Sequence, residues 1–477
     1  MKISIESRTP LFDEVRIEGS VLEHYQERRE DYGELLDTLH QSASMIRGQL
    51  GRRRLWHINS TAFGGGVAEM LPHHICLLRE LGLDARWLIF KPTLEPFFQF
   101  TKGLHNALHD VSTEDFDELL PHYFEVSRQG AEELQELIGP DDVLIVHDPQ
   151  PLIAAAQFLD AHPHPAIWRC HIGYPKRTPT VDKIWEFLGT YLPPFQRVVL
   201  SDREYALDTR HPVDFIQPSI SPFSSKNRHY EDPMDHALES MVAFGGQEAP
   251  RSLRDILGSR YFLHVSRWDG LKGIDRIMAA FECFAGTAME ETQDVRLVIA
   301  GPDPAGVADD PEEWEYFRKY ADLHSQLPAD VRQRVHLACI SMEDHDANAE
   351  IVGRLQQNAL GIFQLSREEG FGLTATEALF RGKPVIVSSA FGLRKQVTHG
   401  KNGVVLDDPG IETKAAYMMN HLATRPGDFG KMAANAREIC LRSSTQIAQI
   451  PNWFQTIQLA LASFEMTHPE PLAVTDF

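Results

Sequence analysis

Glu369 and Glu377 stand eight residues apart in the run Arg367-Glu368-Glu369-Gly370-Phe371-Gly372-Leu373-Thr374-Ala375-Thr376-Glu377. Gly370 and Gly372 interrupt any helix between them, so the first carboxylate falls in a loop and the second about one turn into the following helix. One acid of such a pair can reach a sugar while the other accepts from ribose hydroxyls, with glycine amides and the helix end turned to a phosphate. A second cluster, Val265-Ser266-Arg267-Trp268-Asp269-Gly270-Leu271-Lys272-Gly273, places Arg267 and Lys272 at a strand-to-helix junction. Two cations fixed there can hold a diphosphate leaving group. A third, Ser60-Thr61-Ala62-Phe63-Gly64-Gly65-Gly66-Val67-Ala68-Glu69, sets three glycines before a helix, where backbone amides can approach a phosphate or sugar oxygen. Each cluster alone has an ordinary reading as a helix cap, a solvated basic pair or a chain turn. His147 and His171, at the ends of two apolar runs, read equally as core histidines in a chain with 22 of them.

These residues need a scaffold, and the sequence supplies an α/β one. From Arg53 onward, short β-branched runs alternate with helical periodicity almost to the end. Strands are predicted over 55–59, 85–90, 143–147, 166–171, 198–201 and 215–217. After a break at 221–260, rich in Pro, Ser, charge and Gly (Gly245, Gly246), they resume over 261–266, 295–300, 335–338, 361–365, 384–388 and 404–406. The spacing of Val67, Met70, Leu71, Ile75, Leu78 and Leu81 predicts a helix. The pattern implies two Rossmann-like, doubly wound parallel-sheet domains, 53–220 and 221–446, facing each other across a cleft that takes the ligand at the strands' carboxyl ends. The segment 447–477, amphipathic over 447–464, is expected to return to the first domain. Residues 1–52 are expected as an extension that packs on the surface or joins the subunits of a homodimer.

At 477 residues the chain is long enough for two cores of roughly 200 residues each. Hydrophobic residues at 43% and charged residues at 24% are globular proportions. With 46 Lys and Arg against 68 Asp and Glu, the net charge of −22 repels phosphate backbones and anionic membrane surfaces, so neither nucleic acid nor membrane is expected as a partner. No apolar run is long enough to span a membrane and no leader pattern opens the chain, which makes a cytoplasmic location the expectation. The five cysteines are widely spaced without a C-x-x-C and read as reduced, mostly buried thiols.

Together the clusters resemble the retaining glycosyltransferases of family four, which share the GT-B fold. The resemblance rests on Ser-Arg-x-x-x-x-Lys-Gly, here Ser266 to Gly273, followed by Glu, seven residues, Glu with Gly-Phe-Gly after the first Glu. More narrowly, five segments look like the branch of glycosyltransferring trehalose synthases and retaining trehalose phosphorylases. They are His57-Ile58-Asn59-Ser60-Thr61 with the glycine run, Thr101-Lys102-Gly103-Leu104-His105-Asn106-Ala107-Leu108, His147-Asp148-Pro149-Gln150-Pro151, Trp168-Arg169-Cys170-His171-Ile172 and Gln217-Pro218-Ser219-Ile220.

The resemblance implies transfer of glucose from UDP-, ADP- or GDP-glucose to glucose or a similar sugar, with retention at the anomeric carbon, or the phosphorolytic relative of that reaction. It implies Arg267 and Lys272 at the donor diphosphate, Gly65 and Gly66 beside the phosphate, Gly370, Phe371, Gly372 and Leu373 along the donor, Glu377 at the ribose and Glu369 at the donor glucose. His171 would contact the donor's hydroxymethyl group, and Asp148 and His147 the acceptor. His171, Arg267, Lys272 and Glu369 form the implied catalytic set. The implied route is front-face substitution, in which the departing diphosphate takes the acceptor's proton. No metal or other cofactor is required by that pattern; Asp344-His345-Asp346, a formal D-x-D, reads as a helix cap. Three departures stand out: Gly173 where relatives usually carry Asp, Glu368 between Arg367 and Glu369, and Phe391-Gly392-Leu393-Arg394 where Gly-Gly-Ile-Pro is common. A trehalose phosphorylase and a non-catalytic sugar-nucleotide binder therefore stand as alternatives.

Overall fold

The computed structural model describes residues 1–63, 65–110, 116–205, 211–232, 234–245, 252–287, 290–306 and 311–469. Gly64 of the glycine run and Gly246 of the break lie outside the described residues. The chain divides into two units. One holds Met1–Ser221 and the chain from Gln446 onward; the other holds Pro222–Thr445.

The first unit is built on an eight-stranded sheet of β1 Lys2–Ser7, β2 Phe12–Glu18, β3 Leu55–Asn59, β4 Ala85–Phe90, β5 Val143–His147, β6 Ala166–Cys170, β7 Arg197–Leu200 and β8 Val213–Phe215. Their spatial order is β1-β2-β4-β3-β5-β6-β7-β8. From β4 to β8 all pairs are parallel. The central strands β3, β5 and β6 are buried at every position, as parallel strands covered on both faces must be. Chain order reverses at β3, which has β4 on one side and β5 on the other, so the loops after β3 and β5 flank a topological switch point.

Residues 1–52, expected as an extension, instead complete this unit. β2 pairs antiparallel with β4 and carries β1 at the sheet edge. The helix Arg29–Leu50 buries Tyr32, Leu36, Leu39, Ala43, Ile46 and Leu50, one face at helical spacing, and packs on the carboxyl-terminal helix Gln446–Thr467. That last helix is tied to the first unit by Gln446 Nε2 donating to Met70 O at 2.8 Å and Thr456 Oγ1 to Asp214 Oδ2 at 3.1 Å.

The second unit carries β9 Val242–Gly245, β10 Tyr261–Val265, β11 Arg296–Pro302, β12 Val335–Ile340, β13 Gly361–Gln364, β14 Val385–Ser388 and β15 Val404–Leu406. They lie in the order β15-β14-β13-β10-β11-β12-β9, parallel except for β9. A core including Phe262, Phe281, Phe284, Leu297, Ile299 and Phe363 holds helices to the sheet. Here the switch point lies between β10 and β13, where the loops bearing Arg267, Lys272 and Glu369 begin. No helix among the described residues is long and apolar enough to cross a membrane. The five cysteines are free thiols, four of them buried and Cys283 exposed.

Candidate active site

In the second unit the loop after β10 is pinned at both ends. Trp268, almost fully buried, donates Nε1–H to Pro302 O at 2.7 Å, and Leu271 N donates to Asp269 Oδ1 at 2.7 Å. Gly273 then opens the helix Ile274–Gly286 at φ +69°, and a Cβ there would overlap the carbonyl oxygen of Leu365, so only glycine fits. This turn delivers Lys272 to Glu369, whose two carboxylate oxygens each accept from Nζ at 2.9 Å. Ser366 Oγ adds a bond to the same carboxylate at 3.2 Å. Both side chains are mostly shielded, at 20% and 13% exposure, where charge-assisted bonds are strong. Arg267 is 58% exposed at its side chain and faces Asp269 at 4.0 Å. The structure thus joins Lys272 to Glu369 directly, while Arg267 pairs within its own loop.

Two features brace the loop after β13. Arg367 forms a fork on Asp275 at 2.8 and 2.6 Å, and its backbone N–H donates to Leu271 O at 2.7 Å, so the loops after β10 and β13 are linked. The insertion of Glu368 therefore leaves Arg367 engaged with a neighbouring helix. Gln396, not anticipated from the sequence, gathers the glycine segment: Nε2 donates to the carbonyls of Phe371 and, at 3.2 Å, of Gly372 and Gly392, while Oε1 accepts from Thr376 Oγ1 at 2.6 Å. Gly372 caps the helix Leu373–Phe380 at φ +88°. Within that helix Glu377 is buried, accepting from Gln356 Nε2 at 2.9 Å and facing Lys226 at 3.7 Å. His264 is held by Phe363 O at 2.9 Å, and burial lowers its ring to about 4. Asp344 caps the helix His345–Asn358 by accepting from Ala347 N at 3.0 Å.

In the first unit three histidines form a column. His57 on β3 lies opposite Ile145 of β5, and His147 is two residues further along β5. His147 in turn lies opposite Arg169 of β6, and His171 is two residues beyond it. Steps of two keep a side chain on one sheet face, so the rings climb diagonally toward the carboxyl edge. His57 Nδ1 meets His147 Nε2 at 3.1 Å, and His147 Nδ1 meets His171 Nε2 at 3.1 Å. Burial holds all three rings well below their usual range, and hence neutral.

His147 corrects the sequence expectation. Both of its ring nitrogens are taken inside the protein and the residue is buried, so neither nitrogen is left to bind an acceptor sugar. Asp148 sits at φ +62°, which an aspartate tolerates, and its Oδ1 accepts from His171 N at 2.7 Å. Burial lifts its carboxyl to about 6, against the opposing pull of that N–H and of Arg169. Arg169 is itself buried, bonding Ser201 Oγ at 3.1 Å and lying over Trp453, 5.9 Å from the ring centre.

Gly65 caps the helix Gly66–Glu80 at φ +133°, with open space where a Cβ would stand. Asn59 and Thr61 brace the approach to it, Asn59 Nδ2 donating to Thr61 O at 2.7 Å. At the departure noted above, a Cβ on Gly173 would overlap the buried ring of Tyr205, which fills that space.

Comparison with known proteins gives the same picture for both units. Residues 57–207 match the model of the trehalose synthase amino-terminal domain, and 247–438 that of glycosyl transferases group 1. The chain is 30% identical over 430 residues to the trehalose synthase of Thermococcus litoralis, covering 88% of this chain and 92% of that one. It is 33% identical over 385 residues to the trehalose synthase of Rubrobacter xylanophilus, covering 80% and 83%. The trehalose phosphorylase of Pleurotus pulmonarius is 26% identical over 428 residues, covering 80% of this chain and 54% of the fungal protein. Among solved structures, the trehalose-6-phosphate synthase OtsA matches with a TM-score of 0.67 at 14% identity, covering 85% of this chain and 98% of that one. The fold is GT-B.

Proposed function

Because this chain belongs to the trehalose synthases and phosphorylases of the group 1 glycosyl transferases, it is a hexosyltransferase of trehalose metabolism, and we propose that it transfers glucose from a nucleoside-diphosphate glucose to glucose with retention, forming trehalose or a related α-glucoside. The observation that carries this is the Lys272–Glu369 pair at the switch point of the second sheet. A diphosphate arriving there offers Lys272 a stronger anion than Glu369, and the carboxylate released accepts from hydroxyls of the donor sugar. Arg267 adds a second cation, and Gly65 and Gly66 amides a neutral contact to phosphate. Glu377 lies one turn into the helix opened by the Gly370–Leu373 segment and takes the ribose. As the glycosidic bond lengthens, Lys272 and Arg267 stabilise charge growing on the leaving diphosphate, whose oxygen accepts the proton of the attacking hydroxyl on the same face. His171, held at its backbone by Asp148, contacts the sugar.

The test is a donor-by-acceptor screen: UDP-, ADP- and GDP-glucose, each with and without glucose, reading nucleoside diphosphate release and product linkage. Glucose-dependent release with an α,α-1,1 product is expected; no release with any donor refutes the proposal. A second reading, phosphorolysis, is favoured by the phosphorylase relatives that align across 80% or more of this chain. Phosphate-dependent formation of glucose 1-phosphate from trehalose without nucleotide selects it.

A further inference from the structure

The column His57–His147–His171 contains an asymmetry that fixes where its protons sit. Each of its two contacts joins a ring nitrogen to a ring nitrogen, so in each one nitrogen must donate and the other accept. A neutral imidazole has a single N–H, and burial of all three rings disfavours a second proton on any of them. One choice of proton therefore sets all the others. The choice is made at the inner end. His57 Nε2 is buried and meets no hydrogen-bond partner among the described residues. Either form leaves one polar atom there desolvated, but a bare lone pair is the lesser cost, since buried N–H groups without an acceptor are the rarer of the two in folded proteins. The face of His74, packed edge-to-face with His57 at 5.2 Å between ring centres, is at best a second-order acceptor.

The proton of His57 therefore lies on Nδ1 and is donated to His147 Nε2. His147 must then carry its own proton on Nδ1 and donate it to His171 Nε2. His171, half-buried at the end of β6, is left with its proton on Nδ1, the nitrogen turned away from the column. Its backbone N–H is already held by Asp148.

We infer that His57 and His147 are positioning residues that lock His171 as an Nδ1–H tautomer, so that it meets its ligand as a hydrogen-bond donor to an oxygen lone pair and not as a base. This rests on the reading above that His171 contacts the sugar. The column explains why a strand-interior position, 57, holds a histidine where any aliphatic residue would fill the core. It also assigns a purpose to His147, which has no nitrogen left for substrate.

The test is long-range proton–nitrogen spectroscopy on ligand-free protein carrying 15N-histidine, with the three signals assigned by single substitution. Protonated Nδ1 and bare Nε2 are expected at His57, His147 and His171, with scalar coupling across both N–H···N bonds. An Nε2-protonated His57 or His171 overturns the inference. This spectrum requires no turnover, so it stands or falls separately from the assigned reaction. His57→Leu removes the first donor and is expected to leave His171 a mixture of tautomers and to lower kcat about three- to tenfold, the loss of one ordinary hydrogen bond. His57→Asn, whose Nδ2 donates from a similar place, is expected to restore both the Nδ1–H signal of His171 and the rate. Unchanged kcat in His57→Leu with a shifted tautomer, or no rescue by Asn, also overturns it. Should the leucine variant fail to fold, the wild-type spectrum alone decides.

Discussion

The two units place their candidate site residues at equivalent points, beyond the carboxyl ends of the strands beside a switch in strand order, yet with opposite electrostatics. The second unit works with formal charge: Lys272 on Glu369, Arg367 on Asp275, Lys226 on Glu377. The first works with neutral imidazoles, a carboxyl lifted to about 6 and a helix opened by glycines. In the proposed reaction, charge suits the end of a donor that leaves as a diphosphate, and neutral donors suit hydroxyl groups, which a fixed charge would hold equally well in every orientation.

The largest expected effect lies on the charged side. Lys272→Met should lower kcat/KM about a thousandfold by steady-state nucleoside diphosphate release, the cost of removing a group aimed at developing charge. A loss under tenfold would break the contrast, since the cation would then be structural.

Acid should separate the units next. His74, buried beside His57, is lowered to about 4, and the column rings are also held below their usual value. Unfolded, they take up protons below about pH 6.5. Stability present above that pH is therefore lost as pH falls toward the folded values, roughly 3 kcal/mol for His74 alone. Asp148 has the opposite sign: its raised carboxyl contributes stability below its unfolded value that is lost as pH rises through about 6. His264 on β10 is also lowered to about 4, but the first unit carries His74 and the three column rings, so amide exchange between pH 7 and 4.5 should open β3, β5 and β6 before β10 and β13; the reverse order would show the column does not govern acid stability. In Asp148→Asn the fall in stability on acidification should steepen.

A smaller effect is expected at the packed neutral edge. Gly173→Ala drives a methyl into Tyr205 and should cost about 2 kcal/mol in urea denaturation. In a Tyr205→Ala background, itself destabilised by loss of the buried ring, Gly173→Ala should cost little; additivity of the two changes would deny the contact. The smallest is on the charged side again: Asp275→Ala breaks a pair that is 37% exposed at each side chain and should cost under about 1 kcal/mol, decreasing with salt.

Much of this was legible in the sequence for a local reason. The strands of both parallel cores announce themselves as buried apolar runs, and β3, β4 and β5 have the bounds their composition predicts. The glutamate and basic clusters are contiguous, so their loops were visible too. What escaped depended on residues distant in the chain. β1 is an edge strand exposed at most of its positions, which looks like any polar segment. β9 lies in a stretch without periodicity and gains its pairing from β12. Gln396 reaches the carbonyls of Phe371 and Gly372, about 25 residues away, and the link from His57 to His147 spans 90 positions. Nothing at position 147 distinguishes a histidine that touches substrate from one that passes a proton preference along.

The overlap that makes Gly273 obligatory has a practical consequence for anyone redesigning these loops. Because Leu365 and Arg367 of one loop rest on Gly273 and Leu271 of the other, the two segments form a single interlocked cassette. Grafting either from a homologue by itself would misplace the lysine, whereas moving 266–275 together with 365–377 transplants the grip intact.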